Sequence, residues 1–522
     1  MWRAWNAAGH RHRHRRLGAV GSVAVAAGGW TAGTLPARDP WGLWVPHGTA
    51  VTVAGAALAY AGLTLLIAAW WGYRRAARGA SARDTLVTLG WWGAPLLLAP
   101  PLYSADVYSY IAQGAMVLEG HDVYGAGPAV LDPGGRGGDA AASVGGHWTD
   151  TPAPYGPVFL LVAQAVTWVT GGTIVPAVLG MRLVAVAAVG LTVWALRRLA
   201  RASDTDEGSA LWIGALNPLL LIHVVGGMHN DGLMIALMLS GVALALRGRW
   251  IAGSALVGLA AMVKSPAAVA LLFIGVIVVR AATGEGAGGV RRGGRARGAG
   301  VVGVVGRGDR VRLLAKGLLG PGLVAASVAV AATLVAGTGF GWLGTQSVAG
   351  TIHTALSATS DLGLALGELL HLLFGTDPDP VKAAVQRLGL VAALVVIVVL
   401  ARRAARGVVA PAPASAPARV TALDPVHALG LALLALVALS PMVQPWYALW
   451  GMTLIAATAP HGRAARVVMV LSAALPYETQ PSGHTPAYGF VLAGVACVIG
   501  TVLLRREAAP PAPAASLPRL TP

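Results

Sequence analysis

The side chains able to do chemistry in this chain lie in a few short polar strings. They are Asp106-Val-Tyr108-Ser-Tyr110, Gly227-Met-His229-Asn230-Asp231, Lys264-Ser-Pro266 and Ser440-Pro-Met-Val-Gln444-Pro-Trp446-Tyr447. Each adjoins an apolar run of roughly membrane length, so its ionisable groups sit where a helix meets water. Ionisable residues at that depth are costly and usually functional. A carboxylate held there can take the proton of an attacking hydroxyl, and the basic residues can pair with a phosphate. Together they suit a substrate whose tail stays in lipid while its headgroup reacts.

Plainer roles compete at every position. Asp106 is well suited to cap a helix running from Val107 to Glu119. Asn230-Asp231 stands where it can cap the following span. Lys264 can snorkel to the interface, although Ser265-Pro266 breaks the helix there. Arg182, two turns inside its span, suits an ion pair with an outer carboxylate as well as it suits a phosphate. Trp446-Tyr447 fits an interfacial aromatic belt. The alternation His10-Arg-His-Arg-His-Arg-Arg16 reads as a solvated basic flank. His223 and His229 are poorly spaced for a helical metal pair. H-E-x-x-H, C-x-x-C, Walker and dinucleotide-binding motifs are missing, so neither metal nor cofactor is expected.

These strings must be positioned by membrane helices. Of the 522 residues, 56% are hydrophobic and 11% charged, far below the roughly 25% charged residues of soluble domains. A lone cysteine, Cys497, precludes an internal disulfide framework, and 70 glycines favour close helix packing. The pattern predicts an all-α polytopic membrane protein, a single domain over 1–522. About 13–14 spans are expected, near 17–35, 48–71, 85–102, 173–196, 208–225, 231–246, 250–263, 267–281, 317–337, 388–401, 425–441, 446–459, 464–476 and 488–504. Amphipathic or re-entrant helices at the outer surface are expected at 106–119, 156–170 and 361–374. The first span follows a basic segment like a signal sequence and reads as retained. Segments 281–312, 407–419 and 508–522 are low in complexity and read as disordered. No internal repeat is evident.

The net charge of +17 suggests nucleic acid until its placement is considered. With the N-terminus cytoplasmic, every Lys and Arg except Arg38, Arg136, Arg182, Lys264, Lys382 and Arg387 falls on the inner side. This is the positive-inside pattern. It places both termini in the cytoplasm and the loop 103–157 outside the plasma membrane. A loop of that length is more often functional than connecting.

Taken in order, Asp106-Val-Tyr-Ser-Tyr110, Pro154-Tyr155-Gly-Pro157, Asn217-Pro218, Gly227-Met-His-Asn-Asp231, Lys264 and Ser440-Pro-Met-Val-Gln-Pro-Trp-Tyr447 resemble actinobacterial polyprenol-phosphate-mannose-dependent α(1→6)-mannosyltransferases. The likeness runs from about Thr85 to Trp450. It implies a C-type membrane glycosyltransferase fold, with amphipathic juxtamembrane helices in the first large outer loop. A polyprenyl-phosphate-mannose donor and a mannan or lipoglycan acceptor are implied, with inversion at the anomeric carbon. Asp106 matches the family's catalytic aspartate. Such enzymes often carry two adjacent acidic residues there. This chain has one, leaving Asp122 and Asp150 open for the second role. The resemblance further implies phosphate contacts from Arg182, Lys264, His229 and Arg387, and sugar stacking by Tyr108, Tyr110, Tyr155 and Trp446. Asn230, Asp231, Gln444 and Tyr447 complete the expected substrate site. Competing readings are a transporter or flippase of lipid-linked sugars, or a related transferase using arabinose, glucose or a protein acceptor.

Overall fold

The computed structural model describes residues 2–283, 307–406 and 423–508. Among these the chain is helical, without strands, as the apolar periodicity predicts. Every expected span falls on helix. The lengths differ widely, and among the described residues six helices are long and apolar enough to cross a bilayer: Thr49–Ala77, Ile174–Ala202, Ser265–Ala282, Ala315–Ala336, Pro378–Ala405 and Ala487–Glu507. A seventh crossing results if Glu207–Gly214 and Pro218–Gly226, bent by 46°, form one span.

Shorter expected spans are helices such as Asp231–Ala245, Trp250–Ala261, Pro425–Ala438 and Leu449–Thr458. Fifteen residues of helix reach only about 22 Å, against about 30 Å of hydrocarbon. Proline explains much of this segmentation. It lacks the N–H that an interior helical turn needs, and it opens new helical turns at Pro218, Pro266 and Pro445. Helix ends, with their unpaired backbone groups, are thereby brought inside the protein. Helices stand at all three places expected for surface helices, Asp106–Leu118, Pro157–Thr170 and Ala358–Phe374, but the first of them is no surface helix, since residues 107–116 are all buried.

Small residues and paired aromatics hold the bundle together. A Cβ added to Gly28 would lie 2.4 Å from the Gly55 carbonyl, so Trp2–Ala32 and Thr49–Ala77 pack backbone to backbone. Trp70 and Trp212 stack at 5.1 Å, and each indole N–H donates to the other's carbonyl. The low-complexity stretches 407–419 and, apart from Ala508, 508–522 lie outside the described residues. Of 281–312, residues 284–306 lie outside them too, and the described ends, 281–283 and 307–312, continue neighbouring helices.

Candidate active site

The segment leading to Asp106 is held from below by Arg182. Its guanidinium donates to the carbonyls of Leu97 at 2.8 Å, Ala99 at 2.7 Å and Pro100 at 3.4 Å. Arg182 therefore closes the end of the turn Ala94–Leu98, with backbone carbonyls as its partners in place of an outer carboxylate. Beyond it, Leu102 N–H donates to the Gly226 carbonyl and Tyr103 N–H to that of Pro481. Tyr103 takes a left-handed backbone, φ 62°, as does Met228 at 54°. Such conformations cost on the order of 1–3 kcal/mol and cluster at functional sites. A π-helical turn at Leu221–Gly226, another frequent mark of such sites, presents the string Gly227–Asp231.

Asp106 begins its helix, but the cap position is Ala105, and the helix's first N–H, that of Asp106, donates to the Ser104 hydroxyl at 3.1 Å. The carboxylate faces elsewhere. His229 Nδ1 lies 3.1 Å from Oδ2, and Tyr110 donates its hydroxyl to the same oxygen at 3.3 Å. Since an ionised carboxylate only accepts, the hydrogen bond places the imidazole proton on Nδ1. Asn230 N–H donates to the Tyr110 oxygen at 3.3 Å, extending the chain of bonds. Burial alone would raise the Asp106 carboxyl. The hydrogen bond and charge of His229, then the charge of Lys264 and the Ser104 hydroxyl, outweigh it and hold the group below its ordinary value.

Behind this pair lies a second one. Lys264 Nζ sits 2.9 and 3.1 Å from the Asp231 carboxylate oxygens, and Trp450 Nε1–H donates to that carboxylate at 2.7 Å. Asp231 is 1% exposed and the Lys264 side chain 16%. The ammonium lies 4.1 Å from the Tyr447 ring centre, a cation–π contact. Burial would lower the lysine's pKa, but the Asp231 charge prevails and raises it. Lys264 thus points inward rather than snorkelling. Asn230 occupies the cap position of Asp231–Ala245 without a side-chain cap bond.

Trp446 is buried and stacks on His229 at 3.6 Å between ring centres, away from any interfacial belt. Behind them His223 is fully buried beside Trp446 and Tyr103. The string carrying Trp446 is clamped from Ser357, Thr359 and Ser360, whose hydroxyls donate to the carbonyls of Ser440 and Pro441. Pro154-Tyr-Gly-Pro157 docks against the residues before Lys264: Val158 N–H donates to Met262 O, and a Cβ on Gly156 would meet that carbonyl oxygen at 2.4 Å. Tyr155 and Tyr110 meet edge to face at 5.4 Å.

The strings therefore converge, although up to 219 residues separate bonded partners. The expected residues divide into groups. Asp106, Tyr110, His229, Asn230, Asp231, Lys264, Tyr155, Trp446 and Tyr447 form one contiguous set. Gln444 joins it on the wall of a cavity of ≈ 540 Å³ above Asp106. Tyr108 is buried with its hydroxyl donated to the Thr34 carbonyl, so its ring belongs to the packing beneath the site. Arg387 is exposed on Pro378–Ala405 and lines no part of this cavity. Asp122 and Asp150 line no part of it either. The carboxylate across the cavity is Glu478, in the string Pro476-Tyr-Glu-Thr-Gln-Pro-Ser-Gly-His-Thr-Pro486. That string has the same polar, aromatic, proline- and glycine-bounded character as those carrying Asp106, His229, Lys264 and Trp446. Among the described residues no group of three His, Cys, Asp or Glu is arranged to hold a metal ion.

Residues 15–280 match the family model described as alpha-(1->6)-mannopyranosyltransferase, N-terminal domain. Residues 359–506 match the one described as MptB C-terminal domain. A probable alpha-(1->6)-mannopyranosyltransferase of Mycolicibacterium smegmatis is 33% identical over 94% of this chain and 87% of its own length. An alpha-(1->6)-mannopyranosyltransferase of Mycobacterium tuberculosis is 33% identical over 79% of this chain and 72% of its own. An alpha-(1->6)-mannopyranosyltransferase B of Corynebacterium glutamicum is 29% identical over 91% and 78%. No solved structure matches the chain.

Proposed function

The chain belongs to the alpha-(1->6)-mannopyranosyltransferase family and is a membrane-bound mannosyltransferase, and we propose that it takes mannose from a polyprenyl-phosphate-mannose and passes it, with inversion, to a mannan or lipoglycan acceptor outside the plasma membrane. The observation that carries this reading is Asp106. Its carboxylate caps no helix, is held by His229 and Tyr110, and opens onto the cavity.

The steps follow from the residues. A hydroxyl of the acceptor attacks the anomeric carbon of a β-linked mannosyl phosphate. Its proton passes to Asp106, whose lowered pKa keeps the carboxylate ionised and ready at neutral pH. The carbon–oxygen bond to phosphate breaks on the opposite face, and polyprenyl phosphate leaves with the electron pair. One base is enough because phosphate departs as a stable anion. His229 orients the base through Nδ1. Its Nε2 is buried with no protein partner, and the Lys264 ammonium supplies the positive charge nearest to where the leaving phosphate would gather charge. Asp231 and Trp450 hold Lys264 there. Arg182 is assigned to positioning, through the carbonyls before Asp106. The basic residues Arg74, Arg75, Arg78 and Arg466 gather in a separate pocket with Pro460. One short helix, Leu449–Thr458, separates it from Trp446. That polarity supports a cytoplasmic basic end and an outer reacting end.

The test is transfer by the purified protein in lipid nanodiscs. Labelled polyprenyl phosphomannose and a short α-mannoside should yield an α(1→6)-linked product. Transfer from a nucleotide sugar, with none from the lipid donor, would refute the proposed donor.

A further inference from the structure

The cavity above Asp106 has two walls. One is Tyr103–Asp106 with Trp446. The other is the loop between the turn Leu475–Tyr477 and the final helix, with Glu478, Thr479, Ser482, Gly483, His484 and Thr485 on the cavity surface. This second wall is a built one. Pro481 O accepts hydrogen bonds from Tyr103 N–H at 2.9 Å and the Thr34 hydroxyl at 3.3 Å. Gln480 N–H donates to His484 O and Gly483 N–H to Gln480 O, closing a tight turn. Gly483 has φ 88°, and a Cβ there would lie 3.2 Å from Ser104 Cα. The turn therefore presses directly on the segment that delivers Asp106.

We infer that this wall is an acceptor-saccharide subsite, in which the Glu478 carboxylate accepts hydrogen bonds from the hydroxyls of a neutral sugar chain whose terminal hydroxyl is offered to Asp106. The inference rests on the reading of Asp106 as the base. Glu478 is 4% exposed, and its Oε2 accepts from the Thr479 hydroxyl at 2.7 Å. Among the described residues no Lys, Arg or His pairs with it. A buried carboxylate without a cation is costly unless hydrogen-bond donors surround it, and burial pushes this carboxyl above its ordinary value. Sugar hydroxyls are such donors, and two carboxylate oxygens match two neighbouring hydroxyls. Trp148, Trp446 and Phe490 line the same cavity, offering apolar faces to the C–H surface of a pyranose.

Charge decides which sugar sits there. The mannose donor brings a phosphate, which an unpaired carboxylate repels. The Lys264 ammonium, whose charge reaches Asp106, is no part of the Glu478 wall. The neutral polyol therefore belongs to the Glu478 wall and the anionic donor to the other.

The experiment uses the full-length protein, polyprenyl phosphomannose and a short α(1→6)-mannooligosaccharide. Glu478→Gln should raise the acceptor KM about ten- to hundredfold, the worth of a charged hydrogen bond. Donor KM, turnover at saturating acceptor and thermal stability should stay near the parent. Thr479→Val, which removes the hydroxyl that fixes the carboxylate, should move the same constant by less, and it gives the reading if Glu478→Gln does not fold. An unchanged acceptor KM in a stable variant overturns the inference. So does a collapse of turnover with acceptor KM unchanged, which would make Glu478 part of the chemistry. Saturation-transfer NMR with the oligosaccharide alone separates this from failure of the proposed function. Asp106→Asn should still bind it and Glu478→Gln should not, whether or not the donor is correct. Equal binding by both overturns the subsite.

Discussion

Replacing Asp106 by Asn separates chemistry from architecture at one atom. The amide is nearly isosteric and leaves an oxygen for the His229 Nδ1–H, 3.1 Å away in the parent. No cap is lost, because the aspartate side chain caps nothing. The remaining bond, from the Tyr110 hydroxyl, is long at 3.3 Å. The structural cost should therefore stay near one ordinary hydrogen bond, about 1 kcal/mol. The chemical cost is of another size. A general base contributes roughly 10²- to 10⁴-fold, about 2.7–5.4 kcal/mol at 1.36 kcal/mol per decade. In nanodiscs, with both substrates saturating, Asp106→Asn should turn over at least about a hundredfold more slowly, with a melting temperature close to the parent's. The parent should add a second signature. A base whose carboxyl is held low stays ionised as pH falls, so kcat/KM should hold through weakly acidic pH and drop only below the usual carboxylate range. Full turnover by a well-folded Asp106→Asn protein would refute the base assignment, and no argument from Tyr110 or His229 would rescue it.

Other expectations follow from the same geometry. Lys264→Ala leaves Asp231 charged and buried at 1% exposure, so thermal unfolding should show a loss of about 3–5 kcal/mol; the double variant Lys264→Met/Asp231→Asn should recover most of it, and equal stability of the single variant would dismiss the pair as a structural unit. Arg182→Lys cannot fork across three carbonyls, so both melting temperature and turnover should fall, with donor and acceptor KM largely kept. Gly156→Ala sets a Cβ 2.4 Å from the Met262 carbonyl oxygen; with backbone on both sides, size-exclusion of detergent extracts should show little folded protein. In a Cys497→Ser background, Ala142→Cys stands exposed beside the Arg38–Asp139 pair, and an impermeant maleimide should label it in intact cells; protection there would invert the proposed orientation.

Much of the fold was legible because lipid leaves the chain few options. Long apolar stretches must be helical to satisfy their own backbone, and each expected span is helical over most of its length, 208–225 as two pieces bent by 46°. Where each helix stops was less legible. The runs beginning at 231, 250 and 446 carry full apolar character, yet their helices are 15, 12 and 10 residues long. Hydropathy reports burial away from water without telling lipid from protein. In this core Asp231–Ala245 and Leu449–Thr458 are almost wholly enclosed by neighbours, so an apolar surface says little about spanning. Proline and asparagine at 217–218, 266 and 445 mark the breaks; they were visible as punctuation, not as geometry.

The site shows the same division in finer grain. Sequence can say that Asp106, His229, Asp231 and Lys264 are out of place in an apolar chain, since a lone charge there needs a reason. It cannot say which charges answer each other. Lys264 and Arg182 look alike as cations near an outer helix end. One proves to be paired with Asp231 at 2.9 Å, the other spent on backbone carbonyls, that of Ala99 lying 83 residues away. The difference lies in where Asp231 and Ala94–Leu98 are carried by the packing, which depends on contacts across many tens of residues. Glu478 was overlooked for the matching reason. Its neighbours Pro476, Pro481 and Gly483 read as a connector near the end of the chain, and nothing local reveals that Pro481 hydrogen-bonds Tyr103. Once that bond is placed, the last loop becomes the facing wall of the cavity. The two carboxylates then differ in kind: Asp106 is held low by a histidine and a lysine, and Glu478 is pushed up without a cation. The proposed division of the site, an anionic donor on one side and a neutral polyol on the other, requires that inequality between its acidic groups.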